Sequence, residues 1–417
     1  MHGDGFRFPD GFLWGAASSP TQVEGDTRNE WADFIARDGG HADEGCDAWA
    51  DFERDFRLLE TMGLTAFRIG LDWGRLQPAP GAPLDAAAAA RYRQMLDWLS
   101  ARGIAPFVTL FHFACPRWMA ERGGWANPSA PAWFEDFARR VAALELPVVH
   151  WITVNEPCVY LTMSHLIGLF PPRRRFAFPA GWRALRHLVL GHRFARAALC
   201  AANPTAKVGI TKHFKHFMPY RPWHPVDLLN AWLCNAIFSR YLLEAFLRES
   251  GSGVRSTSWT GCDFIGVNYY GRMRVKGFSD VSPVSGAPRE LFGRLNVVCD
   301  DMWEQDPPRL ARLLPDLTRR YGLPLYVTES GFATEDEELR VRLLKEHVAS
   351  MREAVGEGAD LRGYFYWALT DNFEWAEGYS KKFGLAGVDF NAHGKPRTLR
   401  PIAEAYARLS RNGYWIG

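Results

Sequence analysis

The chain has 417 residues, 47% of them apolar, and its 49 Lys and Arg nearly balance 47 Asp and Glu, for a formal net charge of +2. This length allows a large buried core and exceeds the usual span of one domain, for which barrels are the standing exception. Charge is dispersed apart from a local basic cluster at Arg173, Arg174 and Arg175, so no nucleic-acid-binding face is expected.

In chain order, the first strand candidate is 12–18 (FLWGAAS). A helical pattern follows, with Trp49, Phe52, Phe56 and Leu59 at three- to four-residue spacing and Gly63 as a stop. Strand 65–71 precedes a second helix, with Tyr92, Met95 and Leu99 on one face and an end at Gly103. Strands at 105–111 and 148–154 come next, then a long apolar segment at 182–202, strand 207–212 and a second apolar segment at 228–247. Strands 263–269, 324–328 and 363–369 complete the series. Eight strands alternating with helices imply a parallel sheet closed into a single (β/α)8 TIM barrel with long βα loops, one domain over 1–417. The two long apolar segments fit helices on the outside of the barrel. Their period equally fits a lipid-facing or acceptor-binding surface.

Seven scattered cysteines form no CxxC pair and are expected to be reduced thiols. The start lacks the basic and apolar regions of a secretory signal, and no run of about 18 apolar residues offers a membrane span. A cytoplasmic location is the resulting expectation.

Two segments far apart carry the chemistry. TVNEP at 153–157 contains Glu156, and VTESG at 327–331 contains Glu329. Each follows a β-branched, aromatic run, so each carboxyl is expected where a barrel strand meets its loop. Two carboxyls facing each other across a cleft can cut a glycosidic bond, one as proton donor and the other as nucleophile or base. Pro157 is expected to hold Glu156 extended. A desolvated Glu156 facing a second carboxyl would have a raised pKa, which suits a general acid. Glu329 must stay ionised to attack, so it needs donors nearby, and Arg68 and Tyr270 at strand ends are the candidates. Aromatic residues make up 14% of the chain, including 17 tryptophans. That excess suits rings stacked on sugar faces, although most of them must be core.

From FPDGFLWGAASSPTQVEG to FYWALTDNFEWAEGYSKKFGLAGVDF, the chain resembles glycoside hydrolase family 1, the family of retaining β-glucosidases. The resemblance implies that Glu156 is the acid/base, with Asn155 on the sugar 2-hydroxyl, and that Glu329 is the nucleophile, although Ser330 stands where the family usually has Asn. It places Gln22, Glu374 and His112 on sugar hydroxyls, Trp367 beneath the ring and Trp375 as a further donor. Asn268 and Tyr270 complete the set around the nucleophile. Phe113 departs from the family, which commonly has Trp there. Glu374 stands where the phosphoglycosidase branch has a small or hydroxyl residue. Its charge is expected to repel phosphate and to favour a plain β-glucoside, with β-galactoside or β-fucoside as co-substrates.

TAFRIGLDWGRLQP, TLFHFACPRWMAERGGW and GYSKKFGLAGVDF are also similar to the branch containing the plant galactolipid-remodelling galactosyltransferase. That likeness suggests sugar or glycolipid headgroup acceptors. The expected partner is therefore a small carbohydrate, with no cofactor and no metal implied. Hydrolysis by double displacement is the leading expectation. Transglycosylation and a non-catalytic sugar-binding barrel are the alternatives.

Overall fold

The computed structural model describes residues 8–248, 259–277, 279–287, 291, 292, 295 and 297–413. Eight strands close into a barrel: β1 (Leu13–Ala17), β2 (Ala66–Gly70), β3 (Ala105–Phe111), β4 (His150–Asn155), β5 (Lys207–His213), β6 (Phe264–Asn268), β7 (Leu325–Ser330) and β8 (Leu361–Trp367). Neighbours pair in chain order, every pair is parallel, and β1 closes on β8. All eight correspond to strands expected from the sequence.

The helices between strands form for local reasons. Helix Phe52–Met62 starts at Asp51, whose side chain accepts from the Arg54 amide at 3.3 Å, and ends at Gly63 in the left-handed region (φ 68°). Losing such an N-cap costs about 1 kcal/mol. Its apolar stripe of Phe52, Phe56, Leu59 and Met62 is buried against the barrel, while Trp49 lies before the helix rather than on it. Helix Ala86–Ser100 buries Tyr92, Met95 and Leu99 as the spacing predicts.

Strand alternation divides the interior into a dry floor and a polar mouth. The floor is aromatic. Phe107 lies 4.7 Å from Phe365 and 5.1 Å from Tyr326 by ring centroid, and Phe264 lies 5.4 Å from Tyr326. Toward the C-terminal ends of the strands come Arg68 on β2, Thr109 on β3, Asn155 on β4, Thr211 on β5, Asn268 on β6 and Thr328 on β7, all buried. Two register irregularities fall at this level, between Ile152 and Asn155 on β4 and between Val327 and Glu329 on β7. Ile152 packs inside the barrel and Thr153 outside, where it meets His192, so strict alternation would turn Asn155 outward; the irregularity brings it in. The same device brings in Glu329, which follows the inward-facing Thr328.

The 182–202 segment lies within helix Phe178–Ala202. The 228–247 segment is helical over Pro225–Cys234, wound with a wider π turn over Asn235–Tyr241, and helical again over Leu242–Leu247. Only its last part is deeply packed on the barrel.

Candidate active site

Glu156 follows the last residue of β4. Its amide donates to the Thr211 carbonyl at 2.9 Å, and its own carbonyl accepts from the amides of Val159 and Tyr160. The residue thus ends the sheet ladder and caps helix Pro157–Leu161 at once. Its backbone is left-handed (φ 43°, ψ 57°), not extended as Pro157 alone predicts. A chain that leaves a strand and enters a helix within one residue must reverse there. That tertiary demand overrides the proline's preference, which disfavours only the right-handed helical region.

Glu329 sits near the end of β7 between two donors. The Arg68 guanidinium is ion-paired with its Oε1, and the Tyr270 hydroxyl donates to its Oε2 at 2.8 Å. Arg68 is held in turn by Thr109 Oγ1 at 3.1 Å and Asn155 Oδ1 at 2.7 Å. Gly331, two residues on, has no room for a side chain, because a Cβ there would overlap the Trp367 carbonyl oxygen. The VTESG motif therefore closes on β8, which carries Trp367.

Asn155 links the two carboxyls. Its Oδ1 accepts from Arg68, Thr211 and, at 3.3 Å, Asn268 Nδ2, which orients its amide nitrogen to His112 Nε2 at 3.0 Å. His112 Nε2 must then accept, so the proton sits on Nδ1. Burial, with Arg68 adding to it, pushes the His112 pKa well down and keeps the ring neutral. Nδ1 has no hydrogen-bond partner, leaving a buried donor unsatisfied beside the two carboxyls' network.

Asn268 Nδ2 also donates to Glu156 Oε1 at 2.8 Å, and Thr328 Oγ1 fixes the Asn268 carbonyl at 2.7 Å. Burial first, and the charge of Glu329 second, push the Glu156 pKa up to about 8. The two carboxyls, alike in sequence context, are thus set apart by their neighbours.

Across the cleft, Gln22 Nε2 faces Asn372 Oδ1 at 3.0 Å, the Phe373 carbonyl at 2.9 Å and Glu374 Oε2 at 3.3 Å. Gln22 Oε1 is buried without a partner, an open acceptor matching the open His112 donor. The Trp367 indole lies beside Glu374, and the His112 ring lies 6.0 Å from Trp367 and 5.7 Å from Trp375 by centroid. Trp375 also packs on Trp31 at 4.7 Å and on Phe113 at 5.2 Å, so the smaller Phe113 ring serves as its support. Burial, followed by Glu329, raises the Glu374 pKa to about 8. This carboxyl is therefore largely neutral at pH 7, which weakens the charge repulsion expected against phosphate.

Every residue singled out from the sequence joins this one network: Gln22, Arg68, His112, Asn155, Glu156, Asn268, Tyr270, Glu329, Trp367, Glu374 and Trp375. Sequence reasoning missed Thr109, which holds the Arg68 guanidinium, and Thr211 and Thr328, which orient the amides of Asn155 and Asn268. It also missed a basic, aromatic wall beside Glu156. His213 Nδ1 is 3.6 Å from Glu156 Oε1, and Lys215 Nζ stands 4.2 Å over Trp303. Lys212 is fully buried, with Nζ donating to the His213 carbonyl. A lysine and a histidine at the end of an apolar strand, KVGITKH, were the available signal.

Two inward carboxyls at the C-terminal mouth of a (β/α)8 barrel, bordered by open donor and acceptor atoms and by tryptophan, define a glycosidase class of site. Residues 5–413 match the model of glycosyl hydrolase family 1, and the chain belongs to that family. It is 30% identical to Beta-glucosidase A of Thermotoga maritima, covering 97% of this chain and 98% of that one. It is 33% identical to Thermostable beta-glucosidase B of Thermobispora bispora, covering 92% and 86%. The solved structure of the Thermotoga maritima beta-glucosidase in complex with castanospermine superposes with a TM-score of 0.86 at 27% identity, over 99% of this chain and all of that one.

Proposed function

We propose that this chain is a retaining β-glucosidase that releases terminal β-D-glucosyl residues, with Glu329 as nucleophile and Glu156 as acid/base. The observation that carries the reading is the unequal setting of the two carboxyls. Glu329 is held between a guanidinium and a phenol hydroxyl, both donors to its carboxylate, whereas burial and the charge of Glu329 push the Glu156 pKa up to about 8. Glu329 Oε attacks C1 while the C1–O bond to the leaving group breaks and Glu156 passes its proton to the departing oxygen. Ester formation removes the charge of Glu329, the second cause of the raised Glu156 pKa. Glu156, left ionised by that proton transfer and kept so by its lowered pKa, takes a proton from water as that water attacks C1 and frees Glu329.

The open Gln22 acceptor and His112 donor, with Glu374 beside them, suit vicinal sugar hydroxyls, and Trp367 supplies the apolar face. Relatives named as beta-glucosidases support glucose as the glycone. Seven free thiols fit a reducing compartment, which supports the cytoplasm as its place of action.

The test is Glu329→Ala with and without azide. Turnover of an aryl β-glucoside is expected to vanish, and azide is expected to restore it with the α-glucosyl azide as product. Normal turnover by the variant without azide would refute the assignment of the nucleophile. Glycolipid and oligosaccharide acceptors, added to the native enzyme, measure how much sugar is transferred rather than hydrolysed.

A further inference from the structure

Exposed apolar surface and positive charge coincide in one stretch of this chain. Between residues 166 and 248 lie thirteen of the seventeen exposed large apolar side chains found among the described residues. The same stretch holds thirteen Lys and Arg against two Asp and Glu, a net +11 in a chain whose total is +2, so the basic excess extends well beyond Arg173, Arg174 and Arg175 and charge is not dispersed as expected. Both acids are already engaged: Asp227 pairs with Arg221 at 2.8 Å, and Glu244 with Arg240 at 3.0 Å and Arg248 at 3.1 Å.

Two clusters carry the surface. In the first, RRRFAFPAGWRALR at 173–186, Phe176 is 77% exposed and Trp182 63% exposed. The interleaved Arg173, Arg174, Arg175, Arg183 and Arg186 are exposed as well, and none is ion-paired among the described residues. In the second, Trp223 is 78%, Leu229 57% and Trp232 64% exposed, whereas Leu243, Phe246 and Leu247 further along the same segment are fully buried. The apolar face is thus bare only over the part nearer the loop that leaves β5.

Both clusters border the helical segment that follows Glu156. Gly181 packs against His165, and Cys158 Sγ lies 3.6 Å from the Phe238 carbonyl oxygen. They therefore belong to the rim of the barrel mouth on the acid/base side. A protein–protein interface also takes tryptophan, phenylalanine and arginine, so what favours a bilayer is the excess of positive charge, which needs an extended anionic surface opposite it. A bilayer boundary takes tryptophan and phenylalanine at headgroup depth with arginine on the lipid phosphates.

We propose that this rim docks peripherally on an anionic lipid bilayer, with Phe176, Trp182, Trp223 and Trp232 entering the headgroup boundary and the five arginines that lack a carboxylate partner meeting lipid phosphates. The contact is peripheral, because no described helix is long and apolar enough to cross a membrane.

The test is flotation of the full chain with vesicles of mixed phosphatidylglycerol and phosphatidylcholine, against phosphatidylcholine alone. Binding to the anionic vesicles is expected to be about tenfold or more higher, and to fall severalfold as the salt screens the surface potential. Trp223→Ser with Trp232→Ser, and separately Arg173→Glu with Arg174→Glu and Arg175→Glu, should each cut binding about fivefold or more. Because these side chains are exposed, Tm should stay within about 2 °C. The single substitution Trp232→Ser provides the same readout if a combined variant proves unstable. Equal binding to both vesicles, or native-like binding by folded variants of either set, overturns the proposal. A native dimer that ignores vesicles and becomes monomeric in the Trp223→Ser, Trp232→Ser variant also overturns it, by showing that the rim meets a second copy.

Discussion

Replacing Glu156 by glutamine removes the proton while keeping the shape and an oxygen for Asn268 Nδ2, which now donates to Glu156 at 2.8 Å. A glutamate at its ordinary pKa of 4.5 would be only ~0.3% protonated at pH 7, whereas one at about 8 is ~90% protonated, a gain of roughly 300-fold in competent acid. Removing the acid altogether should cost about 10²–10⁴ in kcat/KM where the leaving group needs a proton, as in cellobiose or an alkyl glucoside. Dinitrophenyl glucoside departs as a stable anion and should keep its kcat/KM within about threefold. The native enzyme should lose kcat/KM for the alkyl substrate as pH rises through about 8. Glu374 and Lys215 are also placed at about 8, so the position of that limb alone identifies no residue. The pH profile of the variant resolves this. Equal losses for both leaving groups, with the limb intact in the variant, would refute the acid/base role of Glu156 and move the limb to Glu374 or Lys215.

Asn268→Ala removes a hydrogen bond that favours the charged form of Glu156, so the alkaline limb should move above about 8, by on the order of one unit; a limb that moves down would contradict the bond. Gln22→Ala removes an acceptor aimed into the pocket, and kcat/KM for glucosides should fall about 10–10²-fold, with a smaller loss on a deoxy substrate lacking the matching hydroxyl. Gly331→Ala forces a methyl onto the Trp367 carbonyl, so Tm should drop by several degrees and turnover should fall with it, about 10²-fold. A native-like Tm and rate would show that β7 and β8 can separate there at little cost.

Strand positions were legible because a barrel strand buried on both faces is a short β-branched and aromatic run, and VVHWITV and PLYVT show this without any knowledge of their neighbours. The residues at the ends of those runs were equally legible, since a parallel barrel gathers its strand ends at one mouth. Thr109, Thr211 and Thr328 were not, because a threonine in a strand reads as ordinary β composition until its hydroxyl is seen on Arg68, Asn155 or Asn268. The left-handed turn at Glu156 escaped for a related reason. Pro157 argues locally against one region of backbone space, but it was the Thr211 carbonyl on the next strand and the helix beyond that selected the conformation.

By itself, then, the sequence determined the eightfold strand and helix alternation from residue type and spacing, and its motifs, through their resemblance to glycoside hydrolase family 1, pointed to the eleven side chains at the mouth. Tertiary structure alone decided how the two glutamates differ. Their motifs are both a glutamate after a buried strand, and they are told apart only by the arrival of Arg68 and Tyr270, from β2 and the end of β6, as donors to Glu329, and by the burial and neighbouring charge that raise the Glu156 pKa. A pKa is set by what lies within a few ångströms in space, and those groups come from residues up to 261 positions apart in the chain.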